Sequence, residues 1–164
     1  MLKIGILIKG NAKKKDLANE LITLLTNSSH EVYSRATKTS TDHTELLNEL
    51  FSLNCEVIIA AGGDGTLHHC VNTLMRTRLN ETVKLAHFPV GTANDFARSC
   101  ALNSNPIDFI KKLNNHQFQR IDIGKIFIAP TKETHYFINI ADAGIGEEII
   151  HGVNKSNKGM GGFT

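Results

Sequence analysis

The residues Cys55-Glu56-Val57-Ile58-Ile59-Ala60-Ala61 run without a break into Gly62-Gly63-Asp64-Gly65-Thr66. The first stretch is apolar and β-branched, the make-up of a strand buried on both faces. The glycines then supply a tight turn, and a helical pattern follows from about Leu67 to Arg76. A buried strand that turns through glycines into a helix is the repeating unit of a parallel sheet with helices on both faces.

The rest of the N-terminal two thirds repeats this alternation. Leu2 to Ile8 reads as a strand, and Asp16 as the cap of a helix carrying Leu17, Leu21, Leu24 and Leu25. Glu31 to Ala36 reads as a second strand. Thr41 or Asp42 caps a helix that turns Leu46, Leu47, Leu50 and Phe51 inward. Val83 to Phe88 is a further strand, Asn94 to Cys100 a short helix, and Asn105-Pro106 a helix start with Pro at the first helical position. After residue 117 the pattern changes. Arg120 to Ile128 and His135 to Ala141 read as an antiparallel pair of strands. The expected division is an α/β domain over residues 1–117 and a partial β-rich unit over 118–164.

Composition narrows the function classes. The 164 residues carry 18 basic and 16 acidic side chains, a balance that demands no nucleic-acid partner. The run Lys13-Lys14-Lys15 reads as a solvated loop or as a contact for phosphate or anionic lipid. Three scattered cysteines without a CxxC fit a reducing, cytoplasmic compartment. No apolar run is long enough to span a bilayer, so any role at a membrane is peripheral.

Two loops carry the chemistry. Gly62 to Thr66 lies at the carboxyl end of a strand, the edge where open α/β sheets bind ligands. Its glycines permit close approach, and the following helix N-terminus attracts phosphate. A carboxylate there would repel phosphate, so Asp64 makes sense if it helps hold Mg²⁺, orients a donor, contacts a ribose hydroxyl or caps the helix. The second loop, Pro89-Val90-Gly91-Thr92-Ala93-Asn94-Asp95-Phe96-Ala97-Arg98, repeats the strand-to-helix context. Gly91 allows close approach, Thr92 and Asn94 offer hydrogen bonds, and Asp95 brings a second acid to the same edge. Asn94 or Asp95 also suits a helix cap. The expectation is that Asp64 and Asp95 face one another across a cleft. Adjacent His68 and His69 point about 100° apart on a helix, which disfavours a shared metal.

Together the loops resemble the signatures GGDGTxNE and PxGTxNDFAR of the diacylglycerol kinase catalytic family, which includes bacterial lipid kinases. GGDGT alone is shared with NAD kinases and similar to phosphofructokinases; the ordered pair is specific. Ile121-Asp122-Ile123-Gly124, Phe137 to Gly146, and Gly161-Gly162-Phe163-Thr164 resemble later family segments. The resemblance implies ATP between an α/β domain and a β-rich domain, with Mg²⁺ and a lipid hydroxyl as acceptor. It implies ATP contacts from Thr37, Gly62, Gly63, Asp64, Gly65, Thr66, Leu67, His68, His69, Gly91, Thr92 and Asn94. Asp64 and Asp95 are then the acids at the reacting centre, and Lys14, Asp122 and Lys158 a charged network between domains. The sequence departs from the family at Lys9, where Asn is usual, and at His68-His69, where Asn-Glu is usual. It also ends before the family's later strands, Mg²⁺ site and catalytic base. The expectation is therefore the N-terminal portion of a longer lipid kinase, inactive by itself. An NAD-kinase-like enzyme and a nucleotide-binding remnant are the alternatives. The apolar faces of the strand pair lead to an expectation of self-association, and the glycine-rich residues 144–164 to one of mobility.

Overall fold

The computed structural model describes residues 1–12, 14–39 and 41–141. Four strands, β1 (Lys3–Ile8), β2 (Glu31–Ala36), β3 (Val57–Gly62) and β4 (Lys84–Pro89), form a parallel sheet in the order β2-β1-β3-β4. Register places Ile4 beside Val57, and Val57 beside Lys84. The connecting helices are α1 (Lys15–Thr26), α2 (His43–Ser52) and α3 (Asp64–Thr77), with α4 (Asp95–Ser99) and α5 (Pro106–Asn114) after β4. The expected α/β class and parallel sheet are what the chain adopts.

The period-two rule of a strand divides the core in two. Ile4, Ile6 and Ile8 of β1, with Val57, Ile59 and Ala61 of β3, meet Leu21 and Leu25 of α1 and Leu113 of α5. Leu7, Ile58 and Ala60 point the other way, onto Leu47 and Leu50 of α2 and Leu67, Cys70 and Val71 of α3. All six residues of β3 are buried, as a strand covered on both faces requires. Truncating Ile59, which is 0% exposed, to Ala would cost about 2–5 kcal/mol. All four strands end at one edge of the sheet, so the loops after β3 and β4 become neighbours.

Helix starts differ in part from the expectation. Asn105 does cap α5, its side chain accepting the Ile107 and Asp108 N–H groups, with Pro106 at the first turn. Asp16, expected as a cap, lies inside the first turn of α1, where Lys14 holds the cap position. Asp42 sits at the cap of α2, yet its carboxylate turns back to accept the N–H groups of Lys38 and Thr39. Helix α3 begins at Asp64, three residues before the expected Leu67, because the glycine turn already has helical geometry from Asp64 on.

The hairpin is antiparallel as expected, but its strands are β5 (Gly124–Ile128) and β6 (Glu133–Phe137). Arg120 to Ile123 precede the ladder, and Ile138 to Ala141 follow it. Phe137 explains the start at Gly124: a Cβ on Gly124 would sit 2.1 Å from the Phe137 ring, so the ring packs where glycine leaves room. Ile123, Tyr136 and Ile138 pack against the core on the α3 side, while Ile126, Phe127 and Ile128 are exposed. Lys13, Lys158 and residues 144–164 lie outside the described residues, as do the expectations attached to them. Lys14 and Asp122 are both exposed, and no ion pair joins them among the described residues.

Candidate functional site

The loops after β3 and β4 are in contact with each other. A Cβ on Gly91 would lie 2.4 Å from the Cα of Gly63 and 2.7 Å from its nitrogen, so the backbones touch where only glycine fits. The Gly62 carbonyl accepts the N–H groups of Val90 at 3.1 Å and Gly91 at 3.2 Å. It also accepts from Nε2 of the buried His87, at 3.2 Å. Asn94, left-handed at φ 54°, donates its amide to the Gly91 carbonyl at 2.9 Å.

Asp64 completes this seam. Its Oδ2 accepts the Asp95 N–H and its Oδ1 the Phe96 N–H, both at 3.0 Å. The carboxylate therefore caps α4 from the other loop, at the positive end of the helix. Burial raises the Asp64 pKa, but the hydrogen bonds from Phe96, Asp95 and its own backbone, with His87 nearby, outweigh it and hold the group below its ordinary value. The acids thus do not face one another across a gap. Asp64 bonds the backbone of Asp95, and the Asp95 side chain pairs with Arg98.

The gap lies elsewhere. An open cleft of about 310 Å³ is lined by Asp64, Gly65, Leu67, His68 and Asp95 on one side and by Phe137 to Ile140 on the other. Helix α3 opens onto it. Its cap is Gly63 and no side chain caps its first turn. Gly65 has nothing within 4 Å of where a Cβ would stand. An uncapped helix N-terminus beside open space suits an anionic group such as phosphate. The His68 pKa is lowered, by burial first and then by His135 and Arg76.

The remaining sequence candidates divide. Gly62, Gly63, Gly91 and Asn94 build the seam, and Thr66 is buried behind it, so close that a Cβ on Gly62 would meet its Oγ1 at 2.2 Å. Thr92 is exposed on the second loop. His69 stacks on His43 of α2, ring centroids 4.1 Å apart, away from the cleft lining. Thr37 is buried at the end of β2, where its Oγ1 accepts the Gly10 N–H at 3.1 Å. Among the described residues, no three His, Cys, Asp or Glu side chains gather to hold a metal. Asp64 without such companions does not by itself fit a Mg²⁺ site.

Two residues escaped the sequence reading. His87, 6% exposed, supports the Gly62 carbonyl from below. Asn72, also 6% exposed, stands in the middle of α3 and bonds the backbone of Tyr136. For His87 the signal was a polar side chain in the largely apolar strand β4; α3 carries many polar residues, so only the fold singles out Asn72, whose buried amide needs a defined partner.

A family model described as the diacylglycerol kinase catalytic domain matches residues 8–126. A protein named "Probable lipid kinase YegS-like" from Alcanivorax borkumensis is 32% identical over 134 residues, covering 82% of this chain and 42% of its own length. One of the same name from Yersinia enterocolitica is 34% identical over 138 residues, covering 82% and 41%. Among solved structures, a diacylglycerol kinase from Bacillus anthracis superposes with TM-score 0.59 at 26% identity, over 74% of this chain and 44% of that one. The chain thus spans less than half the length of the relatives it matches.

Proposed function

The chain belongs to the diacylglycerol kinase catalytic domain family, and from that premise we propose that it carries the nucleotide-binding part of an ATP-dependent lipid kinase. In this reading residues 1–117 form the nucleotide unit, and residues from 118 onward begin a second unit whose segment 137–140 closes the cleft. The observation that carries the proposal is the uncapped start of α3, with open space before Gly65. The backbone N–H groups of this turn and the helix dipole hold the phosphates of ATP. Gly63 and Gly91 allow the loops to close beneath them, and Asp64 keeps the second loop in place.

The reaction moves the γ-phosphoryl group to a lipid hydroxyl: the hydroxyl oxygen forms a bond to phosphorus, the bond to the bridging oxygen breaks, and ADP leaves. Such transfer depends on positioning and on stabilising charge. Asp95, half-buried on the cleft wall, is the carboxylate assigned to the reacting group in this reading. Mg²⁺, when bound with ATP, would neutralise phosphate charge. A lipid acceptor implies work at a membrane surface, and among the described residues no helix is long and apolar enough to cross one. The names of the relatives support a lipid as acceptor.

Gly65→Val tests the reading. The position is open, so the variant folds, yet the branched side chain fills the phosphate space. Calorimetry should show ATP binding by the parent and none by the variant. Equal affinity in the two would refute the assignment.

A further inference from the structure

We propose that Asn72 is a positioning residue that pins β6 to α3 and so holds the 137–140 wall of the cleft opposite the phosphate turn. The inference rests on the reading of that cleft as the nucleotide site.

An amide in the middle of a helix is neutral to unfavourable and is rarely buried without a defined partner. Asn72 has one of a particular kind. Its Nδ2 donates to the Tyr136 carbonyl at 2.8 Å, and its Oδ1 accepts the Tyr136 N–H at 3.0 Å. Both backbone groups of one residue are satisfied by one side chain, much as a neighbouring strand would satisfy them. The register explains why they are available. Tyr136 stands opposite Lys125 of β5, and in an antiparallel ladder alternate residues turn both backbone groups away from the partner strand. Thr134, two residues earlier, does the same, and its carbonyl accepts from the Arg76 guanidinium at 3.3 Å. Helix α3 thus occupies the far edge of β6 with side chains.

The pin lies between the two walls. Phe137, the residue after Tyr136, begins the hairpin side of the cleft. His68, one turn before Asn72 on α3, lines the opposite side, and its ring nitrogens lie 3.3 and 3.5 Å from the Asn72 amide. Two turns before Asn72, α3 begins at the phosphate turn. If the amide is lost, the hairpin samples undocked positions, and ATP affinity falls in proportion to the docked fraction.

The test is Asn72→Asp in the full chain, read at several pH values beside the parent. When protonated, the introduced carboxyl can donate to the Tyr136 carbonyl and accept its N–H, as the amide does. When ionised it has no donor and repels that carbonyl. Burial raises the pKa of such a group, while Arg76 and His68 of α3 and His135 of β6, which stand near it, lower it when positively charged; the opposing effects leave the change in an accessible range. Two quantities are measured against the parent at each pH: hydrogen-exchange protection of the Tyr136 amide, and ATP affinity by calorimetry. The expected result is a loss of about tenfold in both on the alkaline side, the order expected for one buried donor lost, and return towards the parent on acidification. Protection of the Ile58 to Ala60 amides should not change, since β3 makes its ladder with β1 and β4 and none of it with the hairpin. Asn72→Leu, which cannot titrate, should show the loss at every pH. Unchanged Tyr136 protection in both variants would overturn the pin. Lost protection with parental ATP affinity would overturn its role at the cleft. If the parent itself binds no ATP, the nucleotide reading and the role at the cleft both fail, and the exchange data alone decide whether the pin exists.

Discussion

Asp64 Oδ1 accepts the backbone N–H of Phe96 at 3.0 Å, joining two loops 32 residues apart in sequence. Its other oxygen holds the neighbouring Asp95 N–H. Bonds to an ionised acceptor are roughly twice as strong as neutral ones. Asp64→Asn keeps the shape but offers one oxygen and an NH₂ group that meets an N–H head-on. The expected cost is about 2–3 kcal/mol, read as a lower urea midpoint at unchanged slope. A midpoint equal to the parent's would show that the tie contributes little.

Gly91 and Gly65 should respond oppositely to alanine. At Gly91 the added carbon would lie 2.4 Å from backbone of the other loop, which cannot rotate away. Gly91→Ala should destabilise by about 1–3 kcal/mol, the range for overpacking. At Gly65 nothing stands within 4 Å and the residue is in the first turn of a helix, so Gly65→Ala should be neutral or stabilising by up to ~1 kcal/mol. Thermal unfolding of the two variants side by side checks the contrast.

Stability should fall on the acid side. Burial depresses the pKa of His87, and the Gly62 carbonyl and Asp64 only partly oppose it. His69 is lowered by burial and then by His43 and His68. The folded state therefore takes up these protons later than the unfolded chain, whose histidines titrate near 6.5. Stability present above that value is lost as pH drops through it, by at most about 1.4 kcal/mol per pH unit for His87 and by less for the more exposed, solvent-screened His69. Asp64, also lowered, adds a second loss that begins near the ordinary 3.8 and continues below. His87→Gln keeps a donor for the Gly62 carbonyl but cannot titrate. Its melting temperature should fall less than the parent's between pH 7 and 5, and an identical slope would exclude His87 as a source.

Phe127 is 60% exposed on β5, beside exposed Ile126 and Ile128. An exposed apolar strand favours association with another chain. Phe127→Lys should change stability by no more than ~0.5 kcal/mol and reduce any growth of sedimentation coefficient with concentration. Association undiminished by the substitution would place its surface elsewhere.

What could be read from the sequence was local chemistry. Val57 to Ala61 announce a doubly covered strand by composition, the glycines after it announce a turn, and Asn105-Pro106 carries its own cap. What could not be read depends on pairings across long separations. Nothing near Asp64 in sequence indicates that its carboxylate serves the amides of residues 95 and 96. Ile121 and Ile123 have the apolarity of strand residues, but Ile121 is exposed and Ile123 packs on the core before the ladder begins. The loops alone suggest a cleft between Asp64 and Asp95, and the resemblance suggests one between the α/β and β-rich units; the cleft lies between the joined loops and the hairpin. That shift follows from the contact of Gly63 with Gly91, which leaves no room for a ligand between them.

The same contact makes the two loops one mechanical part. Backbone pressed on backbone has no side chain to act as a cushion, and Asp64 fastens the joint from the cleft side. A displacement of the α3 N-terminus must therefore carry Pro89 to Phe96 with it, so a load on the turn at Gly65 would be transmitted to α4 with little slack.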